Sequence, residues 1–332
     1  MCSDGSDSEV GVENRWAWLG GTILIGAAGY GCSATNTGSH FGQGGAGGSG
    51  ASSTAIAASS GSGAGSMGSG GSVNFLDGGR SSGSGGASGD GCSEAAKLVY
   101  VVGTGNQLYS FYPPTLELKQ IGIINCPSGG TTPFSMAVDR SGRAWVLFSD
   151  GNIYHVDVTT AACTPTSFVP NQQANFSRFG MGFVADAPGS TAETLYIGSY
   201  TGTGIAKIDT QTLKVIPIGN YDTISGAAEI TGTGDARLYG FFTGAPVTVA
   251  EIDKSNAHII SKAPQPTVKI GSGWAFAFWG GDFWLFTAPN FSSQITRYQP
   301  ATSTTSVVVP DVGGFTIVGA GVSTCAPIKP PA

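Results

Sequence analysis

Glu229 is the acidic residue of this chain whose position most suggests chemistry. It stands in a light, Gly- and Ala-rich segment, residues 226–230, and none of the other segments of this kind carries a carboxylate. A buried carboxylate is costly unless it is paired or hydrated, and Arg178 is a candidate partner. Glu229 is therefore interpreted either as part of a ligand site or as half of a structural ion pair lining a water-filled tunnel.

Aromatic residues and one asparagine lie in or beside loops that would present them to a ligand. Tyr200, Trp274 and Phe291 would together form an aromatic platform for a sugar or a peptide, although packing between sheets is a competing use. Asn152 ends the loop 149–152, in which Asp150 is typical of a tight turn. The predicted ligand-binding residues are Glu229, Arg178, Tyr200, Trp274, Asn152 and Phe291.

Constellations for catalysis are scarce. A metal-assisted hydrolase or lyase would have to combine Glu229 with asparagines, of which Asn106, Asn152 and Asn290 are the candidates. A glycosidase requires paired acids, and only one acid of this kind is found. The three histidines, His40, His155 and His258, have no evident metal-binding or nucleophilic partner in the sequence. No catalytic residue, metal site or cofactor is therefore predicted.

A repeat must position these residues. Five segments share an apolar strand, a polar kink and a turn built on Asp or Pro, and they span residues 108–113, 153–157, 205–209, 249–253 and 295–299. Their last residues are separated by 44, 52, 44 and 46 positions. A period in the forties with about four short strands per unit is typical of β-propeller blades. Asp157, Asp209 and Asp253 are predicted to be turn residues, because an Asp carboxylate accepts backbone N–H bonds.

The chain is predicted to be all-β, a five-bladed propeller. An aromatic-rich strand precedes each repeated segment. Four of these aromatic-rich strands are themselves preceded by a strand rich in small residues, which would fit where the inner strands crowd around the propeller axis. The first unit lacks its light strand, whereas a matching one, residues 315–322, stands at the C-terminus. We therefore expect this C-terminal strand to join residues 98–102 and close the ring, which removes exposed sheet edges.

Four cysteines lie within the predicted propeller. Cys92 and Cys325 flank the two strands of the closure, so we expect a disulfide between them. Cys126 and Cys163 would then pair by elimination, although the strand register puts them at opposite ends of neighbouring outer strands. The alternative is two unpaired buried thiols.

Two segments resemble known propeller repeats. Residues 137–146 (AVDRSGRAWV) resemble the strand–turn–strand of NHL-like repeats, and residues 205–215 (IAKIDTQTLKV) resemble the YVTN and quinoprotein-like type. The resemblance covers residues 98–322 as a blade pattern and implies the fold alone. Such families include lactonases, lyases and binding modules, so the fold does not select among functions.

The N-terminal part of the chain resembles an export signal followed by a leash. An apolar run from Trp16 to Tyr30 precedes Gly31 and Cys32, a pattern similar to a bacterial lipoprotein processing site. A buried helix or an uncleaved anchor is the alternative. With the Gly/Ser-rich residues 33–91, predicted to be a disordered linker, the chain looks like propeller lipoproteins of myxobacterial type. That resemblance implies lipidation of Cys32, and Ser33 then favours the outer membrane.

These features define domains and restrict the function. We expect a signal peptide at 1–32, a linker at 33–91, the propeller at 92–326 and a Pro-rich tail at 327–332. A net charge of −6 and a pI of about 5.0 disfavour nucleic-acid binding. The leading hypothesis is a surface-tethered, non-catalytic recognition domain for a glycan, a peptide or an envelope partner. A metal-assisted hydrolase or lyase and a structural spacer without a small ligand are the alternatives.

Overall fold

A computed structural model of the chain describes residues 91–331. Within this range the fold is all-β, with twenty strands in five four-stranded antiparallel sheets. Only two short 3₁₀ segments interrupt it, Ala95–Lys97 and Ala174–Phe176. The predicted signal peptide and nearly all of the predicted linker lie outside the described residues.

Each sheet is one blade, and its strands follow each other from the axis outward. Blade 1 contains β20 (Ile317–Val322), β1 (Val99–Gly103), β2 (Gln107–Tyr112) and β3 (Glu117–Ile123). Blade 2 contains β4 (Pro133–Val138), β5 (Arg143–Phe148), β6 (Ile153–Asp157) and β7 (Cys163–Pro165). Blade 3 contains β8 (Phe179–Ala185), β9 (Glu193–Ser199), β10 (Gly204–Ile208) and β11 (Val215–Asn220). Blade 4 contains β12 (Ala228–Gly232), β13 (Leu238–Phe242), β14 (Thr248–Ile252) and β15 (Ile259–Pro264). Blade 5 contains β16 (Trp274–Trp279), β17 (Asp282–Thr287), β18 (Gln294–Gln299) and β19 (Thr304–Val309).

The C-terminal strand closes the ring as predicted. β20 pairs antiparallel with β1, with Val322 opposite Val99 and Ala320 opposite Val101. The innermost strands contact each other in the order β20, β4, β8, β12, β16 and back to β20. The five-bladed propeller expected from the repeat spacing is therefore confirmed, and blade 1, like the other four, has an inner strand paired with its second strand.

The core is divided among the five contacts between neighbouring blades. One apolar cluster joins each pair, for example the cluster of Val101 with blade 5 and that of Tyr100 with blade 2. Alternate residues of a strand point to opposite faces of the sheet, so β1 packs against blade 5 on one face and blade 2 on the other. This explains why the second strand of each blade is buried on both faces along most of its length, rather than alternating between buried and exposed residues.

Both expected disulfides are present. Cys92 and Cys325 are bonded, with their Cα atoms 5.8 Å apart across a sequence separation of 233. Cys126 and Cys163 are also bonded, so the expectation that they lie at opposite ends of neighbouring outer strands is wrong. A Cβ placed on Gly122, near the end of β3, would lie 3.0 Å from the Cβ of Ala161, just before β7. The end of one outer strand therefore lies beside the start of the next, as twisted sheets allow.

The predicted Asp turns form as expected. One carboxylate oxygen each of Asp157, Asp209 and Asp253 accepts a backbone N–H from the residue two positions on, at 2.8, 2.9 and 2.8 Å. The pKa values of all three carboxyls are lowered because hydrogen bonds stabilise their ionised forms. The largest contributions come from the hydroxyls of Thr159 and Ser255 to Asp157 and Asp253, and from the backbone N–H of Thr212 to Asp209, with the other backbone bonds adding to them. A left-handed residue with φ of 52–72° recurs at one position of all five outer hairpins: Leu116, Ala161, Leu213, Ala257 and Ser303.

Candidate ligand-binding site

A cavity of about 210 Å³ opens at one end of the propeller axis. All five blades contribute to its wall, through the starts of inner strands and the loops between second and third strands. The lining residues are Thr104, Thr132, Pro133, Phe134, Ser149, Tyr200, Glu229, Ser272, Gly273, Trp274 and Val318. We call this space the axial cavity. A larger groove of about 340 Å³ lies between the outer parts of blades 4 and 5, away from the axis.

Glu229 lies in the wall of the axial cavity, on β12, with 4% of its surface exposed. The hydroxyl of Ser135, on β4, donates a hydrogen bond of 2.9 Å to its carboxyl group. Burial raises the pKa of Glu229 well above its usual value, and the Ser135 hydrogen bond opposes this rise only in part.

Arg178 does not pair with Glu229, so the ion pair considered from the sequence is not formed. None of the ion pairs within residues 91–331 involves either residue. The Arg178 guanidinium lies instead over the ring of Phe134, 5.8 Å from its centroid. The carboxyl group therefore lies in the cavity wall without a cationic partner from the described chain.

Gly180 allows the strand that carries Glu229 to lie close to blade 3. A Cβ at Gly180, on β8, would lie only 2.5 Å from the carbonyl oxygen of Ala228 and from the Cα of Glu229. It would also lie 3.1 Å from the carboxyl carbon of Glu229. Any larger residue would push β12 away from β8, so the position of the carboxyl depends on this glycine.

The aromatic side chains of the cavity come from three different blades. The rings of Tyr200 and Trp274 are stacked, with centroids 5.8 Å apart and planes at 17°. Phe134 meets Tyr200 edge to face at 5.2 Å. The indole N–H of Trp274 is buried without an acceptor in the described chain, which is a polar group available to a ligand oxygen or a water.

Two β-bulges direct side chains into the cavity wall. The register of β4 with β5 shifts between Pro133 and Ser135, so Phe134 is an extra residue in its strand. The register of β20 with β1 shifts in the same way, and Val318 is the extra residue there. A bulge changes the direction of a side chain and bends the strand. Both bulged residues line the axial cavity.

The structure gathers only part of the predicted site. Glu229, Tyr200 and Trp274 line one cavity, whereas Phe291 lies outside it with 82% of its surface exposed. Phe134 takes the third aromatic position, which the sequence signalled only by an aromatic residue at the start of an inner strand. The side-chain amide of Asn152 donates to Asp150 at 2.8 Å, within a tight turn.

The axial cavity does not bring together the residues considered for a metal-assisted reaction. Asn106, Asn152 and Asn290 do not line the axial cavity, so Glu229 does not meet the asparagines that a metal-assisted mechanism would require. Within residues 91–331, no three His, Cys, Asp or Glu side chains are grouped so that they could hold a metal ion.

No helical segment in this part of the chain is long and apolar enough to cross a bilayer.

A second polar cluster, which the sequence did not reveal, lies where β9 begins. The carboxyl of Glu193 accepts hydrogen bonds from the backbone N–H of Arg140 at 2.8 Å and from the hydroxyl of Thr324 at 2.7 Å. Burial raises the pKa of Glu193, and these two bonds oppose the rise. The cluster joins blades 2 and 3 to the C-terminal segment beside the Cys92–Cys325 disulfide.

Replacing Glu229 by glutamine should reduce the loss of stability at rising pH. In the folded protein Glu229 keeps its proton at pH values above 4.5, its ordinary pKa, whereas in the unfolded chain it loses the proton there. The free energy of unfolding therefore falls as pH rises from about 4.5 through the raised pKa of the folded state. At pH 8, E229Q should melt at a higher temperature than the wild type, by about 2–4 °C for each kcal/mol by which its free energy of unfolding is greater. Near pH 4 the two proteins should melt at similar temperatures. Melting curves from pH 4 to 8 test this. Parallel pH profiles of the two proteins would contradict it.

Comparison with known proteins identifies no family for this chain. No model of a protein family matches the chain, and no curated protein sequence is similar to it. A solved nidogen/laminin complex contains a chain 9% identical to this one, with a TM-score of 0.47 over 69% of this chain and 99% of that one. The β-propeller domain of Cps50 (Swd1) from Myceliophteria thermophila is 12% identical, with a TM-score of 0.39 over 65% and 70%.

TolB from Acinetobacter baumannii is 14% identical, with a TM-score of 0.38, and the match covers 65% of this chain but about half, 53%, of TolB. Similarity at this level carries no argument about function. The fold is established by the chain's own topology, in which five four-stranded sheets are closed by a C-terminal strand.

Proposed function

We propose that the propeller is a non-catalytic recognition domain whose axial cavity receives part of a glycan, a peptide or an envelope partner. The observation that carries this proposal is the composition of the cavity: stacked Tyr200 and Trp274 beside Glu229, a carboxyl without a cationic partner among residues 91–331. Concave sites with apolar walls and a few convergent polar groups are the usual form of ligand pockets. Catalysis is not proposed, since one carboxyl provides neither an acid pair nor a metal-ligand set.

Binding arrays test the proposal directly. The full-length chain, probed on glycan and peptide arrays, should bind a restricted set of ligands that share one small terminal group. The shared group is expected because the cavity accommodates only a small part of a polymer. Absence of binding on both arrays, together with hydrolase activity on model esters or lactones, would contradict the proposal.

We also propose that the domain works outside the cytoplasm, tethered through a lipid on Cys32 and a linker over residues 33–91. The two disulfides support an oxidising compartment. The lipoprotein-like processing pattern supports the anchor, and Ser33 supports the outer membrane or cell surface of a bacterium. A Gly-rich linker of this length spans roughly 40 Å on average, which would hold the propeller clear of a membrane surface.

The tether predicts a clear result in cell fractionation. In a bacterial host that processes lipoproteins, the Cys32→Ala chain should leave the membrane fraction, whereas the wild type should remain in it. Cys2→Ala is the matched control, because it removes a cysteine from the same leader and should leave fractionation unchanged. A Cys32→Ala protein that still sediments with membranes would contradict lipidation at this residue.

A further inference from the structure

We propose that the group bound in the axial cavity is an alkylammonium group, such as a trimethylammonium head or the end of a lysine side chain. This inference rests on the proposed function and adds the chemical class of the ligand. Three features of the cavity carry it together: a buried carboxyl with no cationic partner in the part of the chain that the structure describes, aromatic walls, and a small volume.

The charge of the cavity favours a cationic ligand. Three carboxyl side chains of the described range are buried, those of Asp139, Asp282 and Glu229, with 8, 7 and 4% of their surface exposed. Asp139 is paired with Arg143 at 3.2 Å, and Asp282 with Arg297 at 2.5 Å. Glu229 is the most buried of the three, and its hydrogen-bond donor is the neutral Ser135 hydroxyl. A cation from a ligand would supply the partner that the chain provides to the other two.

The aromatic wall of the cavity also favours a cation. Tyr200, Trp274 and Phe134 line the cavity, and aromatic rings attract cations within about 6 Å of their centroids. The guanidinium of Arg178 lies over the Phe134 ring at 5.8 Å, so this cluster already holds one cation at its outer edge. Arg178 is exposed, where solvent and salt screen its charge. It therefore opposes a second cation beside Glu229 only weakly.

The size and polarity of the cavity favour a small head group. A cavity of about 210 Å³ has the volume of roughly seven waters, which is below the range of about 300–1,000 Å³ typical of drug-sized ligands. It therefore admits one head group. A neutral sugar ring would need several directed hydrogen bonds. The wall offers one carboxyl and the hydroxyls of Thr104, Thr132, Ser149 and Ser272, and these share it with apolar side chains that offer a sugar no hydrogen bond. A trimethylammonium group needs little more than a negative charge and apolar contacts, and a primary ammonium can in addition donate hydrogen bonds to the carboxyl and to these hydroxyls.

Ionisation of Glu229 links this binding to pH. The inner strands packed against β12, namely β8, β16 and β20, carry no other titratable side chain. The titratable groups on β9 and β13, which also pack against β12, are Glu193, Tyr196 and Tyr239, and Tyr200 and Arg178 lie at the cavity edge. None of them is a cause of the raised pKa of Glu229, which follows from burial. A permanent cation should therefore bind more tightly as pH rises and Glu229 loses its proton.

A pair of ligands that differ only in charge tests the inference. Choline and its carbon isostere 3,3-dimethylbutan-1-ol should be titrated into the full-length chain by calorimetry or NMR at pH 5 and pH 8. We expect choline to bind about tenfold to a hundredfold more tightly than the isostere at pH 8, because only choline has a positive charge for the carboxylate and the aromatic rings to attract. Choline binding should weaken at pH 5 in the wild type. E229Q should lose the preference and the pH dependence.

Glu193→Gln is the matched control, because it neutralises a second carboxyl outside the axial cavity and should keep the choline preference. Thermal melts establish that both variants are folded. Equal binding of choline and its isostere, unchanged choline binding by E229Q, or no binding of choline or n-butylammonium would each overturn the inference. If an array ligand still binds in a Trp274-dependent manner, the proposed recognition function survives that failure. If no array ligand binds either, both proposals fail.

Discussion

Replacing both Cys92 and Cys325 by serine is expected to lower the free energy of unfolding by about 5 kcal/mol. The disulfide joins residues 233 positions apart and thereby encloses nearly the whole propeller in one covalent loop. In the chain-entropy model the stabilisation grows with loop length, because a long loop restricts the unfolded chain most. The bond also holds the C-terminal strand β20 beside β1, where it completes blade 1.

The second disulfide provides a matched control. Replacing Cys126 and Cys163 by serine opens a loop with a sequence separation of only 37, and the same model gives a smaller loss of about 4 kcal/mol. Chemical unfolding of both double variants under non-reducing conditions measures the two losses. An equal or reversed order would show that the ring closure is not held chiefly by restriction of the unfolded chain.

Replacing Trp274 by alanine is expected to weaken binding of any array-selected ligand about thirtyfold or more, which corresponds to the loss of about 2 kcal/mol at a binding hot spot. Trp274 contributes an apolar wall, a ring stacked on Tyr200 and a buried indole N–H without an acceptor in the described chain. Its removal would enlarge the axial cavity and leave Tyr200 without its stacking partner. Direct binding titrations of the purified variant measure the loss.

Phe291→Ala is the control for this variant. Phe291 is also an aromatic residue of blade 5 on a loop, but it is 82% exposed and does not line the cavity. Its replacement should change the affinity by less than about twofold, within the small range expected of changes away from a site. If both variants lose the same affinity, or neither does, the ligand does not occupy the axial cavity. Melting curves show whether Trp274→Ala retains the fold.

Much of the architecture follows from the amino-acid order alone. The number of blades, the ring closure through β20 and the Cys92–Cys325 disulfide were all predicted. The reason is that each blade repeats the same local pattern of strands and turns, and turn residues such as Asp157 and Asp253 act through hydrogen bonds two residues away. Because the first unit lacks an inner strand of its own, the unpaired C-terminal strand is the one left to complete blade 1, and this pairing closes the ring.

The composition of the cavity depended on the tertiary structure. Phe134 rather than Phe291 completes the aromatic cluster, because a bulge in β4 changes the direction of the Phe134 side chain. Glu229 is contacted by Ser135, which is 94 positions away in the sequence, and not by Arg178. Such contacts depend on the relative rotation of blades and on register shifts of one residue, and neither leaves a local pattern in the sequence. The repeat thus determined the ring, while packing between blades determined which side chains meet at its axis.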